Sequence, residues 1–479
     1  MHFDFDTGEF RDLSIRPDAL AVIAHDRSLS WQALQAEAQA WCDEARALGL
    51  QADAPIVIRG HKEAAFMVAL TGALMLRAPF VPVDAVYPQD RLQSIIDTLD
   101  AHLMYDAAAA RFQVLREGPA PTLAESGLGY IMFTSGTTGK PKGVQIGREG
   151  VQGLIDWMRL DFGLGEVPVF LNHTVFSFDV SLYDVFGALT TGGTIMMLDR
   201  DSGASVLKVA ELIAQHKVTT WVSTPSFAQQ QLLNPGFSGA ALPSLRTFLF
   251  CGEPLPVPLA RQLRKRFPGV PILNTYGPTE ATVATTLLKV DDALLATDAV
   301  MPIGYAKRDA QVYCDEGELC IVGPHVMRGY INRPDLNATR MFVKDGLRGF
   351  RTGDLGTEGE GGLLFCQGRI DDQIKLNGYR LELLEVDAAL ATLPGARAGA
   401  AVALRRANGS VARLVAFVET GEGNESLPEE LADWKNLLAA RLPHYMLPTE
   451  LLACPRMPVS VNYKIDRAKL AERYLALNA

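Results

Sequence analysis

Two periodicities alternate along the first two-thirds of the chain, and no single element can satisfy both. Helical patterns at 30–48, 64–76, 206–216 and 257–267 are separated by short β-branched runs at 54–59, 80–83, 219–223 and 272–276. Strands alternating with helices are joined by crossovers, so the expected class is α/β, with largely parallel sheets covered by helices. The 479 residues exceed what one hydrophobic core holds, which predicts more than one folding unit. After Gly353-Asp354 the texture changes. A Gly-rich hairpin at 359–365 leads into Gly368-Arg369-Ile370-Asp371 and a smaller unit. The predicted boundaries are therefore 1–369 for a large N-terminal core and 370–479 for a small C-terminal lobe. The small lobe carries 13 Lys+Arg and 14 Asp+Glu, so nearly all of the chain's net charge of −10 falls on the large one. The segment 419–430, rich in Glu and Gly, reads as a solvated loop.

That acidic balance argues against nucleic acid as a partner, because phosphate recognition needs a concentrated basic surface. The six cysteines are scattered without CxxC or zinc-like spacing, which points to a reducing, cytoplasmic setting. The start, Met1-His2-Phe3-Asp4-Phe5-Asp6, has neither the basic residues nor the apolar run of a secretory signal. No uninterrupted apolar run is long enough to span a membrane.

Four segments carry chemistry. The apolar strand Tyr130–Phe133 runs into Thr134-Ser135-Gly136-Thr137-Thr138-Gly139-Lys140-Pro141-Lys142-Gly143. Glycines let such a loop turn its N–H groups toward phosphate oxygens, and lysines neutralise their charge. It is not a Walker A loop: Gly136 and Gly139 stand too close, and Pro141 follows the lysine. Next, Asn274-Thr275-Tyr276-Gly277-Pro278-Thr279-Glu280 offers a ring to stack on a purine and a carboxylate, Glu280, able to hold Mg²⁺. In Arg351-Thr352-Gly353-Asp354 a carboxylate just after a strand end could grip two ribose hydroxyls. Near the C-terminus Lys464 sits in the turn Asn462-Tyr463-Lys464-Ile465-Asp466-Arg467.

In this order, and together with Phe178-Asp179-Val180-Ser181, Gly378-Tyr379-Arg380-Leu381-Glu382 and the 442–448 segment, these phrases resemble the adenylate-forming superfamily. That superfamily includes nonribosomal peptide adenylation domains, acyl-CoA synthetases and luciferases, and the resemblance runs from Trp31 to Leu470. It implies a large N-terminal lobe of helix-covered sheets and a small, mobile α+β C-terminal lobe that rotates between two half-reactions. By position it also implies ATP-binding roles. Thr134, Ser135, Gly136, Thr137, Thr138, Gly139 and Lys142 would hold the β- and γ-phosphates. Asn274, Thr275, Tyr276, Gly277, Pro278 and Thr279 would hold adenine and the α-phosphate. Asp354 would take the ribose beside the strand from Phe365 through Gly368 to Arg369. Glu280 would bind Mg²⁺, Asp371 would be the hinge, and Lys464 would be the catalytic residue bridging ATP and the substrate carboxylate. A compact ammonium suits that last task, because the first step must overcome repulsion between a carboxylate and a triphosphate.

Asp179 lies inside the apolar stretch 175–189, where an acid is costly unless a cation meets it. In amino-acid-activating relatives the matching Asp clamps the substrate ammonium; capping a helix that begins near Ser181 is the alternative use. The other substrate-binding positions implied are Cys251, Thr275, Val283 and Lys464. Phe248–Glu253 and Asn274–Ala284 look like the D-alanine-activating carrier-protein ligases, in which the matching cysteine accepts the D-methyl group. D-Alanine is thus the favoured substrate, with glycine, L-alanine, serine and proline as alternatives and acyl-CoA or aryl-CoA ligation or a non-catalytic nucleotide module as rivals. His173 reads as a packing histidine. Two departures from those ligases are a trimmed hairpin between Val312 and Gly323 and Arg77-Ala78-Pro79 in place of a Gly-rich turn. The fifteen residues after Lys464 hold no carrier domain, so the expected partner is a free carrier protein offering its phosphopantetheine thiol.

Overall fold

The computed structural model describes residues 2–5, 7–12, 16–118, 123–136, 141–297, 300–370, 373–406, 410–419, 431–458 and 465–477. They form two compact units. One comprises Met1–Ala85, Thr98–Phe133 and Gly143–Ile370, and the other Val86–Asp97, Thr134–Lys142 and Asp371–Ala479.

The first unit is built on two large sheets. The seven-stranded sheet has Ile56–Gly60 and Phe80–Asp84 as parallel central neighbours. The helix Ala64–Leu76 is their crossover, and residues 64–73 are all buried. A helix apolar on every side is a core helix rather than a surface one. It ends at Arg77 in the left-handed region (φ 55°), a position that glycine usually takes; the Arg77 N–H closes the helix on Ala73 O and Leu74 O.

The nine-stranded sheet runs Tyr305–Ala306, Thr286–Lys289, Ile272–Tyr276, Thr247–Phe250, Thr220–Ser223, Val169–Asn172, Thr194–Met197, Leu20–Ile23, Ser28–Ser30. Its six strands from Ile272–Tyr276 to Leu20–Ile23 are parallel, and antiparallel strands close both edges. The helices Ser181–Thr191, Val206–His216 and Val257–Arg266 are crossovers between its strands. A third, five-stranded sheet includes Gln311–Asp315, Glu318–Val322 and Leu347–Glu358. The trimmed hairpin closes there on Glu316 (φ 50°) and Gly317 (φ 85°), the two positive-φ residues of a two-residue turn.

In the second unit Gln373–Leu376 pairs with Tyr379–Glu382, and Ala398–Arg405, Val411–Glu419 and Glu450–Cys454 form a three-stranded sheet. The helices Leu383–Leu390 and Leu431–Ala439 pack on a core centred on Trp434 and Leu414. The helix Arg467–Leu477 is tied down by Arg467 Nη2, 2.6 Å from Asp387 Oδ2. Of the solvated loop predicted at 419–430, Glu419 ends a strand and the remainder lies outside the described residues.

Candidate active site

Parallel strands aligned in register bring their carboxyl ends to one edge of a sheet, which is where open α/β sheets hold ligands. Asn172 pairs with Val222, Ser223 with Phe250, and Phe250 with Asn274. The segments leaving that edge carry Asp179, Cys251 and Thr275–Glu280. Tyr183, on the first turn of the helix Ser181–Thr191, donates its hydroxyl to Thr275 Oγ1 at 3.1 Å, and Thr275 Oγ1 donates to Phe250 O at 3.0 Å. Cys251 Sγ points at Val283 O, 3.9 Å away. Burial, then the neighbouring Cys251, holds the Tyr183 hydroxyl well above its ordinary pKa, and the Asp179 charge adds to this. Tyr183, Cys251, Thr275 and Val283 are therefore one buried cluster within the field of Asp179.

Asp179 itself is 4% exposed. The residue preceding the helix Ser181–Thr191 is Val180, in αR geometry and with no side-chain cap of its own. The Tyr130 hydroxyl, fully buried, lacks a hydrogen-bond partner among the described residues; burial and the Asp179 charge both keep it protonated. A buried acid whose charge reaches two neutral phenols is chemically able to receive a cation.

The nucleotide motifs begin inside strands rather than after them. Asn274–Tyr276 are strand residues, and Asn274 Nδ2 donates to Pro302 O at 2.9 Å. At Gly277 a Cβ would lie 2.4 Å from Ala284 Cα, so only glycine lets these two backbones meet. Asp354 was expected just beyond a strand end. Instead it lies within Leu347–Glu358, where a bulge opposite Leu319, with Gly353 at φ 74°, re-aims its side chain. Its Oδ2 accepts from Tyr276 OH at 2.5 Å, and its Oδ1 lies 2.6 Å from Arg369 Nη1. Burial and Asp354 together hold the Tyr276 phenol well above its usual range. The structure thus joins Tyr276, Asp354 and Arg369. Phe365 and Gly368 share Arg369's strand, which pairs with that of Asp354. Glu280 is fully buried in a 3₁₀ turn with Pro278 and Thr279, and Tyr330 OH donates to its Oε1 at 2.6 Å. No group of three or more His, Cys, Asp or Glu gathers as a metal site among the described residues. One carboxylate still fits a Mg²⁺ that takes its other ligands from phosphates and water.

A buried network that sequence reasoning missed holds the loop leading to Asp179. Lys62, fully buried, reaches Asn172 Oδ1 and, at 2.6 Å, Thr174 O, with its ammonium 4.4 Å from the Phe176 ring centroid. Asn172 Nδ2 passes the link to Asp184 Oδ2 at 2.9 Å. Burial pulls Lys62 down to about 7, against the opposing pull of Asp184, and pushes Asp184 up. His173 stacks on Phe227 at 3.5 Å, the packing role expected of it. Burial, then Lys62 and His61, lowers its pKa to about 3.

The His173 shift has a sign that can be measured. Between pH 6.5 and 3 the unfolded chain binds a proton that the native imidazole refuses, so stability must fall as pH drops through that window. His173→Phe is expected to flatten urea-derived stability against pH by up to about 1.4 kcal/mol per pH unit. The slope should not vanish, because burial lowers His325 in the same sense. Parallel curves for the two proteins would contradict the prediction.

In the second unit the described part of the phosphate-type loop faces carboxylates. Gly136 N–H donates to Glu385 Oε2 at 3.2 Å, Ser135 Oγ donates to Arg380 O at 3.1 Å, and Lys142 Nζ lies 3.8 Å from Glu382 Oε1. Glu385 also takes Arg91 Nη1 at 2.5 Å. Thr134 is the last residue of the strand Leu128–Thr134. Thr137, Thr138, Gly139, Asp371 and Lys464 lie outside the described residues. No helix among the described residues is long and apolar enough to cross a membrane.

Known proteins resemble this chain over most of its length. The family described as AMP-binding enzyme matches residues 10–331. The D-alanine–D-alanyl carrier protein ligase of Bacillus velezensis is 35% identical, covering 96% of this chain and 97% of its own. That of Bacillus licheniformis is 33% identical, covering 95% and 97%. The crystal structure of the Vibrio cholerae adenylation domain AlmE, in complex with glycyl-adenosine-5'-phosphate, matches at a TM-score of 0.85 and 22% identity, over 99% of this chain and 98% of that one. That last likeness is one of fold.

Proposed function

The chain belongs to the AMP-binding enzyme family, and from that premise we propose that it activates D-alanine with ATP and transfers it to the thiol of a separate carrier protein. The carboxylate oxygen of D-alanine attacks the α-phosphorus, and the bond to the bridging oxygen of the leaving pyrophosphate breaks. The carrier's phosphopantetheine sulfur then attacks the carbonyl carbon of the D-alanyl adenylate, AMP departs and the thiol proton is released. The observation that carries the substrate class is the buried Asp179 beside Tyr183, Cys251, Thr275 and Val283. Such a carboxylate suits an ammonium, and the small apolar remainder suits a methyl group. The near full-length likeness to two ligases named for D-alanine supports that choice.

The family reading gives the remaining roles. The loop from Thr134 to Lys142 takes the triphosphate, Asn274–Thr279 take adenine and the α-phosphate, and Asp354 takes the ribose. Lys464 brings positive charge to the substrate carboxylate and α-phosphate, and Asp371 is the pivot between half-reactions. Glu280 would hold Mg²⁺, which neutralises phosphate charge when bound.

Pyrophosphate exchange with D-alanine, L-alanine, glycine, serine and proline tests the reading, with both enantiomers of each chiral acid. D-Alanine is expected to give the fastest exchange, and incubation with a holo carrier protein is expected to yield an alanyl thioester. Exchange driven best by a non-amino acid, with a CoA thioester as product, would overturn it in favour of an acyl-CoA ligase.

A further inference from the structure

Between the nucleotide segment and the strand Thr286–Lys289 the backbone makes a turn that its residues resist. Thr282 and Val283 both have positive φ, at 52° and 69°. For consecutive β-branched residues this conformation is strained. Ala284 N–H donates to Thr282 O at 2.8 Å across Val283. The result is a γ-turn of the rare positive-φ kind. Such a turn persists only where its surroundings fix it on both sides. Here the turn matters to the site, because Val283 O is the atom to which Cys251 Sγ points.

The backbone of Thr285 is bonded to Tyr276 O and to Lys307 N–H, and the side chains of the turn are fixed by one residue, His325. Thr282 Oγ1, before the turn, donates to His325 O at 2.6 Å. Thr285 Oγ1, after the turn, lies 3.0 Å from His325 Nε2. Backbone and ring of a single residue therefore grip both ends of the Thr282–Thr285 segment. His325 is 1% exposed, and both threonines are fully buried. Its Nδ1 has no hydrogen-bond partner among the described residues. An unshared lone pair at Nδ1 costs less than an orphaned N–H, so the neutral tautomer with the proton on Nε2, donating to Thr285, is favoured. Burial, then Lys307 and Arg348, keeps the ring neutral.

We propose that His325 is a specificity-positioning residue. It does not touch the substrate; it holds the strained turn that sets Val283 against Cys251 and so fixes the size of the amino-acid pocket. This rests on the amino-acid-activating reading above. Releasing the ring arm lets the turn relax, which enlarges or closes the wall at Val283 by about the size of a methyl group. Space of that size is worth roughly tenfold or more in discrimination between neighbouring substrates. The adenine segment is held by contacts that loss of the ring arm leaves in place: Asn274 on Pro302, and the backbone of the turn itself, where Thr285 N–H donates to Tyr276 O at 2.8 Å and Gly277 packs on Ala284.

The test uses the full chain and three variants. His325→Ala removes the ring, Thr285→Val removes its partner hydroxyl with little change of shape, and His325→Gln offers an amide N–H to the same oxygen. In pyrophosphate exchange, His325→Ala and Thr285→Val are expected to raise KM for D-alanine about tenfold and to erode the D-over-L ratio by a similar factor. KM for ATP should stay within about twofold, and His325→Gln should recover part of the ratio. A purely structural histidine would move both KM values together or lower only the unfolding temperature. An unchanged D-over-L ratio in folded Thr285→Val overturns the proposal, even if His325→Ala fails to fold. Wild-type preference for another amino acid would sink the D-alanine reading alone. The same split would then be read between that acid and its homologue one methylene larger.

Discussion

Asp179→Asn is expected to lower kcat/KM for D-alanine by about 10²–10³, leaving KM for ATP nearly unchanged. The asparagine preserves shape and removes charge, so the ammonium of a bound amino acid would enter an apolar, buried pocket without its counter-charge. Breaking a buried ion pair by deleting one partner costs roughly 3–5 kcal/mol. At about 1.4 kcal/mol per factor of ten, that spans the range expected. Propionate, which has the carboxylate and methyl of alanine but no ammonium, supplies the control. The wild-type protein should discriminate strongly against it, and Asp179→Asn should narrow the gap from both sides. Exchange kinetics with the two acids measure this directly. If the variant kept its preference for D-alanine over propionate, Asp179 would not be the ammonium's partner.

The largest effect on stability is expected at Lys62. Its ammonium lies between Asn172, the carbonyl of Thr174 and the face of Phe176, with Asp184 behind Asn172. Asp184 Oδ1 has no hydrogen-bond partner among the described residues, so this acid depends on the lysine's charge and on one amide. Lys62→Ala should destabilise the protein by about 3–5 kcal/mol, and Lys62→Met combined with Asp184→Leu should restore much of that loss. Urea unfolding followed by tryptophan fluorescence measures both. A loss from Lys62→Ala below about 0.5 kcal/mol, the usual range for an exposed position, would mean that the network carries little weight.

Local pattern was enough to read most of the first unit's elements. The helices at 64–76 and 206–216 and the strand at 272–276 occur with the expected bounds. The helix expected at 30–48 occupies Trp31–Ala47, with Ser30 Oγ as its cap, because capping uses the flanking residue. Asp179, Cys251, Thr275 and Val283 were singled out because each stands where a known motif places it, and all four are buried. Lys62 was not. It falls in the short run Gly60-His61-Lys62-Glu63 between an expected strand and an expected helix, with no local signal of burial, and its partners come from residues more than a hundred positions later. His325 was hidden for the same reason, since its partners Thr282 and Thr285 lie some forty residues earlier. The strain at Thr282–Val283 was also invisible, because β-branched residues argue against positive φ and only tertiary contacts overrule that preference. Asp354 was misplaced relative to its strand because the bulge at Gly353 has no local signature beyond one glycine.

The edge of the nine-stranded sheet has a consequence for how the chain acquires its shape. Val22 and Ile23 pair with Ile195 and Met196, partners that are made long after them. At a synthesis rate of about 5–20 residues per second, the N-terminal strand waits roughly 10–30 s for its neighbour to be made. During that wait Leu20–Ile23 presents an unpaired, apolar edge, the kind of strand that recruits other chains. Ser28–Ser30, its antiparallel neighbour, can fold back on it locally and covers one side at once. The other side stays open until Thr194–Met197 arrives. Burst synthesis at high ribosome loading should therefore favour aggregation of early chains, and slower synthesis or a holdase acting on the first two hundred residues should raise the yield of folded protein.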